Sequence, residues 1–284
     1  MKEGSNAHSY TSILAAAEGL LCEVVKLVDT TELEFVVIGG WSPYYLNNGP
    51  ITHPGSRDVD LLFKEGAKSK TLVPAIEILT QNGFLHSAKH EFQMLRVLDI
   101  DGEKFVFNVD LLHADDAVAA PDMFADHVTL PIRLSDFNPD GFVQKSIKVP
   151  TSDFLFEGHV VMHTLATFLP NGSPFRGTVP LMDELGTMVT KAESMSSTKR
   201  RRDAFDILLA ITQARDFNVL VSSVSRLRYE HQDAFRELSK LKAIRHSRKL
   251  RKNIGLYFSD ARDPAIWRSL MQKFDLFLVS TGIT

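Results

Sequence analysis

The sequence has 284 residues, 44% of them hydrophobic and 24% charged, with a formal net charge of −3. This ordinary globular composition includes a single cysteine, Cys22, which excludes an internal disulfide and is interpreted as a packing residue. No signal peptide opens the chain and no apolar run approaches the ~20 residues that cross a bilayer. The sequence therefore predicts a cytoplasmic protein that does not enter membranes.

The first half of the chain predicts a mixture of helices and strands. Apolar residues three and four apart predict a helix over residues 12–28, and a second helix is predicted over 72–79. Short β-branched and apolar runs predict strands, and Asp101-Gly102 is typical of a tight hairpin turn. The predicted strands are 35–38, 59–63, 92–100, 103–112, 128–134 and 143–149.

After Pro150 the pattern changes. A helix is predicted over 152–168, followed by a Pro/Gly-rich connection over 169–180 and by helices from Leu181 onward. These features predict a domain boundary near residue 150. The first domain, 1–150, is predicted to be α/β, and the second, 151–284, to be α-helical.

Two aspartates lie inside what otherwise reads as a buried strand. Asp58 and Asp60 are two residues apart, so within a strand they would project from the same face. Neighbouring carboxylates repel each other unless a cation lies between them. The alternative is a strand at the sheet edge whose polar face is solvated. A third acid, Asp110 in "FVFNVDLLH", would complete a cluster if its strand pairs beside 59–63.

Three converging carboxylates suit Mg²⁺, which keeps its other positions for water and substrate phosphates. Two such ions can activate an attacking oxygen and neutralise a leaving pyrophosphate. The Gly39-Gly40 pair follows the 35–38 strand, where backbone N–H groups can approach a phosphate. Most Gly-Gly pairs are only turns, but their combination with the three acids is rare.

The stretches "GGWS", "GSRDVDLLF" and "FNVDLLH" together resemble the DNA polymerase β-like nucleotidyltransferase superfamily. The resemblance implies an α/β (α+β) nucleotidyltransferase domain with a mixed sheet, followed by an α-helical domain. It implies transfer of a nucleoside monophosphate from an NTP, with Mg²⁺ or Mn²⁺ as cofactor and pyrophosphate leaving. It assigns catalysis and metal binding to Asp58, Asp60 and Asp110, and nucleotide binding to Gly39, Gly40, Ser42, Ser56 and Arg57.

A basic stretch, "SSTKRRRDAFDILLAI", opens a predicted helix in the second half. If Ser196 or Ser197 caps this helix, four cations at positions 199–202 occupy its first turns and oppose the helix dipole. A bound anion would explain their placement, and a solvated charged face is the alternative. Asp203 and Asp206 follow on one helix face.

With the first motif, this stretch resembles the AbiEii/MenT-type toxin nucleotidyltransferases over about residues 35–212. Members act in toxin–antitoxin or phage-defence pairs, and some add nucleotides to tRNA 3′ ends. Two departures are Pro54, where the family often has Arg, and the lack of a Lys in the predicted 152–168 helix, which offers His159. The resemblance assigns further nucleotide contacts to Lys191, Lys199, Arg202 and Asp203.

Charge is unevenly distributed along the chain. Residues 199–252 contain 15 Lys/Arg against 6 Asp/Glu in a protein of net charge −3. A basic lobe predicts an RNA (tRNA-like) acceptor, and a solvated helix face or a surface for an acidic antitoxin are the alternatives. The two tryptophans, Trp41 and Trp267, are interpreted as packing residues rather than base-stacking platforms.

Three functions follow from these patterns. The first is a nucleotidyltransferase acting on an RNA or protein hydroxyl, as the toxin of a toxin–antitoxin or phage-defence pair. The second is a small-molecule nucleotidyltransferase of the aminoglycoside-modifying kind, which the basic lobe disfavours because a cationic substrate prefers an acidic pocket. The third is a catalytically idle module that binds NTP or a partner, which three mutually repelling acids disfavour.

Overall fold

The structure is a computed structural model that describes residues 8–64, 72–87, 89–90, 92–114, 127–130, 144–149, 151–192, 194–196 and 199–283. The chain forms two compact units that alternate along the sequence. The first comprises Met1–Gly39, Ser56–Asp153 and Val161–Leu181, and the second comprises Gly40–Gly55, Phe154–Val160 and Met182–Thr284. The predicted boundary at residue 150 thus differs from the division in the structure, where the chain passes between the units several times.

The first unit is built on a mixed β-sheet, as the sequence predicted. Its strands follow the order β3-β4-β5-β2-β1-β9-β8, while β7 also pairs with β5, and β6 pairs with β7. Pairs β2–β5, β5–β7 and β1–β9 are parallel, and β1–β2, β3–β4, β4–β5 and β6–β7 are antiparallel. The strands are β1 (Phe35–Ile38), β2 (Val59–Phe63), β3 (Leu85–His86), β4 (Gln93–Ile100), β5 (Glu103–Ala114), β6 (His127–Leu130), β7 (Gln144–Val149), β8 (Val160–Phe168) and β9 (Pro174–Met182).

The predicted helices of the first half are confirmed within a residue or two. Ser12 caps the first of them, since its hydroxyl accepts a hydrogen bond from the Ala15 N–H. Its buried face supplies much of the core below the sheet. The helices of the chain are α1 (Ile13–Asp29), α2 (Trp41–Tyr45), α3 (Val73–Gln81), α4 (Glu184–Lys191), α5 (Asp203–Thr212), α6 (Phe217–Glu230), α7 (Gln232–Ser239), α8 (Leu241–Ile244), α9 (Arg248–Ile254) and α10 (Pro264–Thr281).

The predicted helix over 152–168 is wrong. The structure has a short 3₁₀ turn at Asp153–Phe156 and then the hairpin of β8 and β9, which extends the sheet of the first unit. Side chains along β8 alternate between half-buried and exposed, the period of a strand. Gly172, at φ 80°, forms the turn within the segment predicted as an aperiodic connection. The nine-residue apolar run that forms β8 is compatible with both the helical and the strand period, and its β-branched residues favour the strand.

From residue 184 onward the described residues are largely helical, as predicted, although Leu181 and Met182, predicted as helical, belong to β9. Asp183 caps α4, and Asp263 caps α10, which ends at Gly282 in the left-handed conformation. Among the described residues, no single helix is long and apolar enough to cross a membrane. Helices α5 and α6 together have the length and apolar composition of a membrane span, but they are bent by 113° at the break between them. Every residue of α5 is buried inside the protein.

Candidate functional site

Two of the three predicted catalytic acids lie side by side on the sheet of the first unit. Asp60 on β2 is paired in register with Asp110 on the parallel strand β5. Neighbouring strands are about 4.8 Å apart, and residues in register project from the same face. Both residues are half-buried. The sheet therefore places these two carboxylates next to each other, as the sequence predicted on the condition that their strands pair.

Asp58, the remaining predicted acid, and the two residues before it lie immediately before β2. The strand begins at Val59, so Asp58 precedes it and strand alternation does not set its direction, contrary to the prediction that both acids lie within the strand. Asp58 and Arg57 are exposed, while Ser56 is buried. Asp58 is therefore near Asp60 only because the two are neighbours along the chain. Of these two acids, only Asp60 has a partner acid fixed by the sheet register.

The turn after β1 approaches the acid pair through its first glycine. Gly39 follows Ile38, the antiparallel partner of Asp60, and has a φ of 80°. A Cβ added at Gly39 would overlap the Oδ2 atom of Asp60. Gly40 is the N-cap of α2, and Ser42 is fully buried within α2. Since α2 has only five residues, it provides little of the helix dipole that the sequence predicted for this turn.

A metal ion in this unit would depend on the pair Asp60 and Asp110 and not on a cluster of three acids. Among the described residues, no three His, Cys, Asp or Glu side chains are grouped closely enough to hold a metal ion. Mg²⁺ is usually held by one or two carboxylates, with water and substrate phosphates as its remaining ligands. Asp60 and Asp110 supply that number of ligands, so the residues present fit a magnesium ion that a triphosphate would help to bind.

A polar residue that the sequence analysis missed extends the same row. Gln93 on β4 is in register with Asp110. The signal was present in the hairpin turn, because Asp101 and Gly102 both have positive φ and join Ile100 directly to Glu103. Counting outward from that turn places Gln93 opposite Asp110. Its amide can donate a hydrogen bond toward the carboxylate face or toward a bound substrate.

The second unit contains a buried ion cluster around Lys191. The Lys191 ammonium donates to Asp206 Oδ2 and, at 3.2 Å, to Asp203 Oδ1. Ser194 donates to the other oxygen of Asp203. Lys191, Asp203 and Asp206 are all at least nine-tenths buried. The sequence predicted Lys191 and Asp203 as nucleotide contacts, and the structure brings them together with Asp206, which the sequence noted only as a neighbour on the helix face.

His53 joins this cluster and is a second residue that the sequence analysis missed. The Gly55 N–H donates to its Nδ1 atom at 3.0 Å, so Nδ1 carries no proton. Its Nε2–H therefore donates to Asp206 Oδ1, also at 3.0 Å. This geometry defines a neutral imidazole. Burial lowers the pKa of His53, and this effect outweighs the hydrogen bond to Asp206, which acts in the opposite direction.

The charges in the cluster stabilise one another. Burial alone would raise the pKa of Asp206, but Lys191, the His53 hydrogen bond and Arg202 together hold it at about 2. Burial would likewise lower the pKa of Lys191, and the carboxylates of Asp206 and Asp203 outweigh it, so that its pKa is raised. The cluster is therefore a buried, positively charged amine that contacts the ionised carboxylate of Asp206 and the side chain of Asp203.

The basic stretch before α5 differs from its prediction. Helix α5 begins at Asp203 with Arg202 as its N-cap, so residues 199–202 precede the helix instead of forming its first turns. Asp203 and Asp206 occupy the first turn, where acidic residues are favourable. The prediction that the four cations occupy the first turns of the helix is therefore wrong, and of the four only Arg202 lies at the helix terminus, as its N-cap. Lys199 is exposed, and Arg202 is partly exposed and donates to the Gly55 carbonyl at 3.1 Å.

Comparisons with known proteins add little to this geometry. No protein-family model matches the chain, and no curated protein sequence matches it. Among solved structures, it is similar to the crystal structure of an antigenic nucleotidyltransferase-like protein from Paracoccidioides brasiliensis, with 13% identity over 81% of this chain and 95% of that chain, and a TM-score of 0.32. A TM-score this low does not establish a common fold, so the proposals below depend on this chain's own residues.

Proposed function

We propose that the protein is a metal-dependent nucleotidyltransferase that moves a nucleoside monophosphate from an NTP to a hydroxyl group. The observation that carries the proposal is the register of Asp60 and Asp110 on one sheet face, with Gly39 in close approach to Asp60. Two adjacent carboxylates on neighbouring strands repel each other, and a cation removes that cost. A glycine at this turn allows the Asp60 carboxylate to lie against the backbone at the end of β1.

In this proposal Asp60 and Asp110 would hold Mg²⁺ or Mn²⁺, and the family resemblance implies Asp58, exposed just before β2, as a further ligand. The metal would neutralise charge on the triphosphate and on the departing pyrophosphate. The acceptor oxygen forms a bond to the α-phosphorus while the bond from that phosphorus to the bridging oxygen breaks, and pyrophosphate keeps the electron pair. The hydroxyl proton passes to Asp110 and then to solvent. These roles are those that the family resemblance implies for the three acids.

The nucleotide contacts divide into two groups. Backbone N–H groups at Gly39 and Gly40, with Ser42, Ser56 and Arg57, are proposed to bind the triphosphate. Lys199 and Arg202, which reach solvent, are proposed as cationic contacts. Lys191 and Asp203 are better suited to a positioning role, because each charge already has a buried partner.

The acceptor is proposed to be RNA, held by the basic part of the helical region, and the biological role that of a toxin with a cognate antitoxin. Support for RNA comes from the excess of 15 Lys/Arg over 6 Asp/Glu in residues 199–252. Support for the toxin role is limited to the resemblance of the two motifs. Induced expression of the parent should arrest growth of a bacterial host, and expression of an inactive variant should not.

Replacing Asp60 with asparagine tests the active site. Asp60→Asn removes one charge and almost no volume, so we expect the fold to persist and transfer to fall by at least about 100-fold. The measurement is incorporation of label from each α-labelled NTP, with Mg²⁺, into total RNA, protein or small hydroxyl compounds. Asp99→Asn, at the far end of β4 beside the β4–β5 turn, is the matched control, because an asparagine oxygen can still accept the hydrogen bond from the Gly102 N–H.

The acceptor that becomes labelled distinguishes the proposed functions. Label in RNA supports the proposal, label in a small molecule supports an aminoglycoside-type enzyme, and no label in any fraction supports an idle binding module. Undiminished labelling by Asp60→Asn would contradict the assignment of the acids.

A further inference from the structure

A column of three aromatic rings runs through the second unit from a buried end to an exposed one. The His53 and Phe205 rings are stacked at 6.0 Å between centroids and 13° between planes. The Phe205 and Tyr257 rings are stacked at 5.9 Å and 21°. Phe205 is fully buried and His53 nearly so, whereas Tyr257 remains 40% exposed. The column therefore ends in a tyrosine that stacks on Phe205 and is partly exposed to solvent.

The supports of this ring are rigid. His53 is fixed by hydrogen bonds on both ring nitrogens, from Gly55 and to Asp206. Phe205 lies in the first turn of α5, next to the Lys191 ion cluster. The Tyr257 N–H donates to the Ile254 carbonyl at 3.0 Å, which continues the last turn of α9. A ring held in this way loses little conformational entropy when a flat ligand stacks on it.

The segment around Tyr257 is strongly basic. Residues 240–257 contain seven Lys/Arg and no Asp or Glu. Three of these cations already have protein partners: Lys240 pairs with Glu237, Arg245 pairs with Asp275, and the Arg251 guanidinium donates to two carbonyls and lies over the Trp267 ring at 5.3 Å. Arg248, Lys249 and Lys252 on α9 project their charge to solvent.

We propose that Tyr257 is a stacking platform for an unpaired nucleobase, and that Arg248, Lys249 and Lys252 contact the phosphates next to that base. Supported aromatic rings beside cations are the recurring means of holding single-stranded RNA, because every base has a π-face and every linkage a charge. RNA is the favoured source of the base, since the seven Lys/Arg of residues 240–257 form a longer basic stretch than a single triphosphate would contact. This inference depends on the proposed RNA acceptor and identifies where its unpaired segment binds.

The test measures binding without turnover. Fluorescence anisotropy with a labelled single-stranded RNA, in the absence of NTP and Mg²⁺, should show Tyr257→Ala binding roughly 5- to 150-fold more weakly, the affinity equivalent of one stacked base. Tyr257→Phe keeps the ring and should bind within about twofold of the parent. Tyr229→Ala, a more exposed tyrosine on α6, is the matched control and should bind as the parent does.

Two further ligands identify what the ring recognises. Inorganic polyphosphate has charge but no bases, so the parent and Tyr257→Ala should bind it equally. Calorimetry with each NTP shows whether the stacked base comes from the NTP substrate. If Tyr257→Ala lowers the affinity for an NTP and leaves the affinity for RNA unchanged, the stacking site stands but its ligand is the NTP. If the Tyr257→Ala protein is folded, as judged by its melting temperature, and binds RNA and NTPs with the same affinities as the parent, the proposal is overturned.

Failure of this inference can be separated from failure of the proposed function. The Asp60→Asn variant, which should not transfer nucleotides, should still bind RNA in a Tyr257-dependent way. If the parent transfers no nucleotide but loses RNA affinity on Tyr257→Ala, the stacking site stands and the enzyme assignment falls. If transfer to RNA is normal in Tyr257→Ala at every RNA concentration, the enzyme assignment stands and the platform does not.

Discussion

At the scale of single residues, the second unit depends on a buried charge that sequence patterns do not reveal. Lys191 stands in a helix that looks amphipathic, and nothing near it in sequence shows that two aspartates twelve and fifteen residues away neutralise it. Removing one partner of a buried ion pair costs about 3–5 kcal/mol, because the other charge remains buried. The cluster therefore constrains Lys191, Asp203 and Asp206 to remain together, whatever their part in nucleotide binding.

The neutral His53 predicts how stability depends on pH. Because burial lowers its pKa below the ordinary value of 6.5, the unfolded chain binds a proton that the folded chain does not. The contribution of His53 is therefore fully present above pH 6.5 and is lost as the pH falls below it. His53→Gln keeps a donor toward Asp206 but does not titrate. We expect the unfolding free energy of the parent, relative to His53→Gln, to fall below pH 6.5 by up to about 1.4 kcal/mol per pH unit.

Urea denaturation of both proteins between pH 8 and pH 5 measures this difference, since other titrating groups are common to the two. A pH-independent difference would mean that His53 binds its proton equally well in the folded and unfolded chains, contrary to the tautomer that the Gly55 hydrogen bond requires.

At the scale of elements, turn residues mark two hairpins of the sheet, of which only β4–β5 was predicted. Asp101-Gly102 identifies the β4–β5 hairpin and sets its register as far as Gln93 and Asp110. The pairing of β2 with β5 was predictable only as a condition, because no local signal joins strands that are forty residues apart. The β8–β9 hairpin was missed although Asn171-Gly172 marked its turn, because the apolar run before it was read with a helical period. The contacts of His53 and Gln213 with distant partners have no local signal at all.

The glycine that ends β1 can be tested against a glycine with the same backbone strain. Gly39 and Gly102 have φ of 80° and 84°, but a Cβ at Gly39 would overlap Asp60, whereas at Gly102 it would meet nothing within 4 Å. Both Gly→Ala variants should lose about 1–2 kcal/mol of stability from the left-handed backbone. Only Gly39→Ala should also lose most nucleotidyl transfer, because it displaces the Asp60 carboxylate.

Transfer assays on the two variants, at a temperature where both are folded, measure this effect. Equal activity of the two would show that the close approach of Gly39 to Asp60 has no catalytic consequence.

At the scale of the whole molecule, basic residues are concentrated in one segment although the net charge of the chain is slightly negative. A chain of net charge −3 carries seven Lys/Arg without an acid in residues 240–257, and the structure reduces the cations open to solution by pairing several of them. Arg251 in particular has a structural role, so neutralising it would combine loss of charge with loss of packing.

Salt dependence measures how many of the α9 cations contact phosphate. Each contact releases counterions, so log Kd for single-stranded RNA should rise with log salt by about 0.7 per contact. The triple variant Arg248→Gln, Lys249→Gln, Lys252→Gln should lower that slope by about two and weaken binding at low salt. The control removes three exposed cations from the first unit, Lys26, Lys104 and Arg176, and should leave the slope unchanged. Equal slopes for both triple variants would assign RNA binding to another surface.

The alternation of the two units along the chain has a consequence for how the protein is made. Because the first unit includes Val161–Leu181, its sheet lacks β8 and β9 until the ribosome has passed residue 181, by which time Gly40–Gly55 has long been synthesised without the helices it belongs to. A gene fragment that ends near residue 150 would encode neither unit in full. Recombination at a single breakpoint cannot exchange one complete unit between related genes, because each unit is encoded in three separate segments.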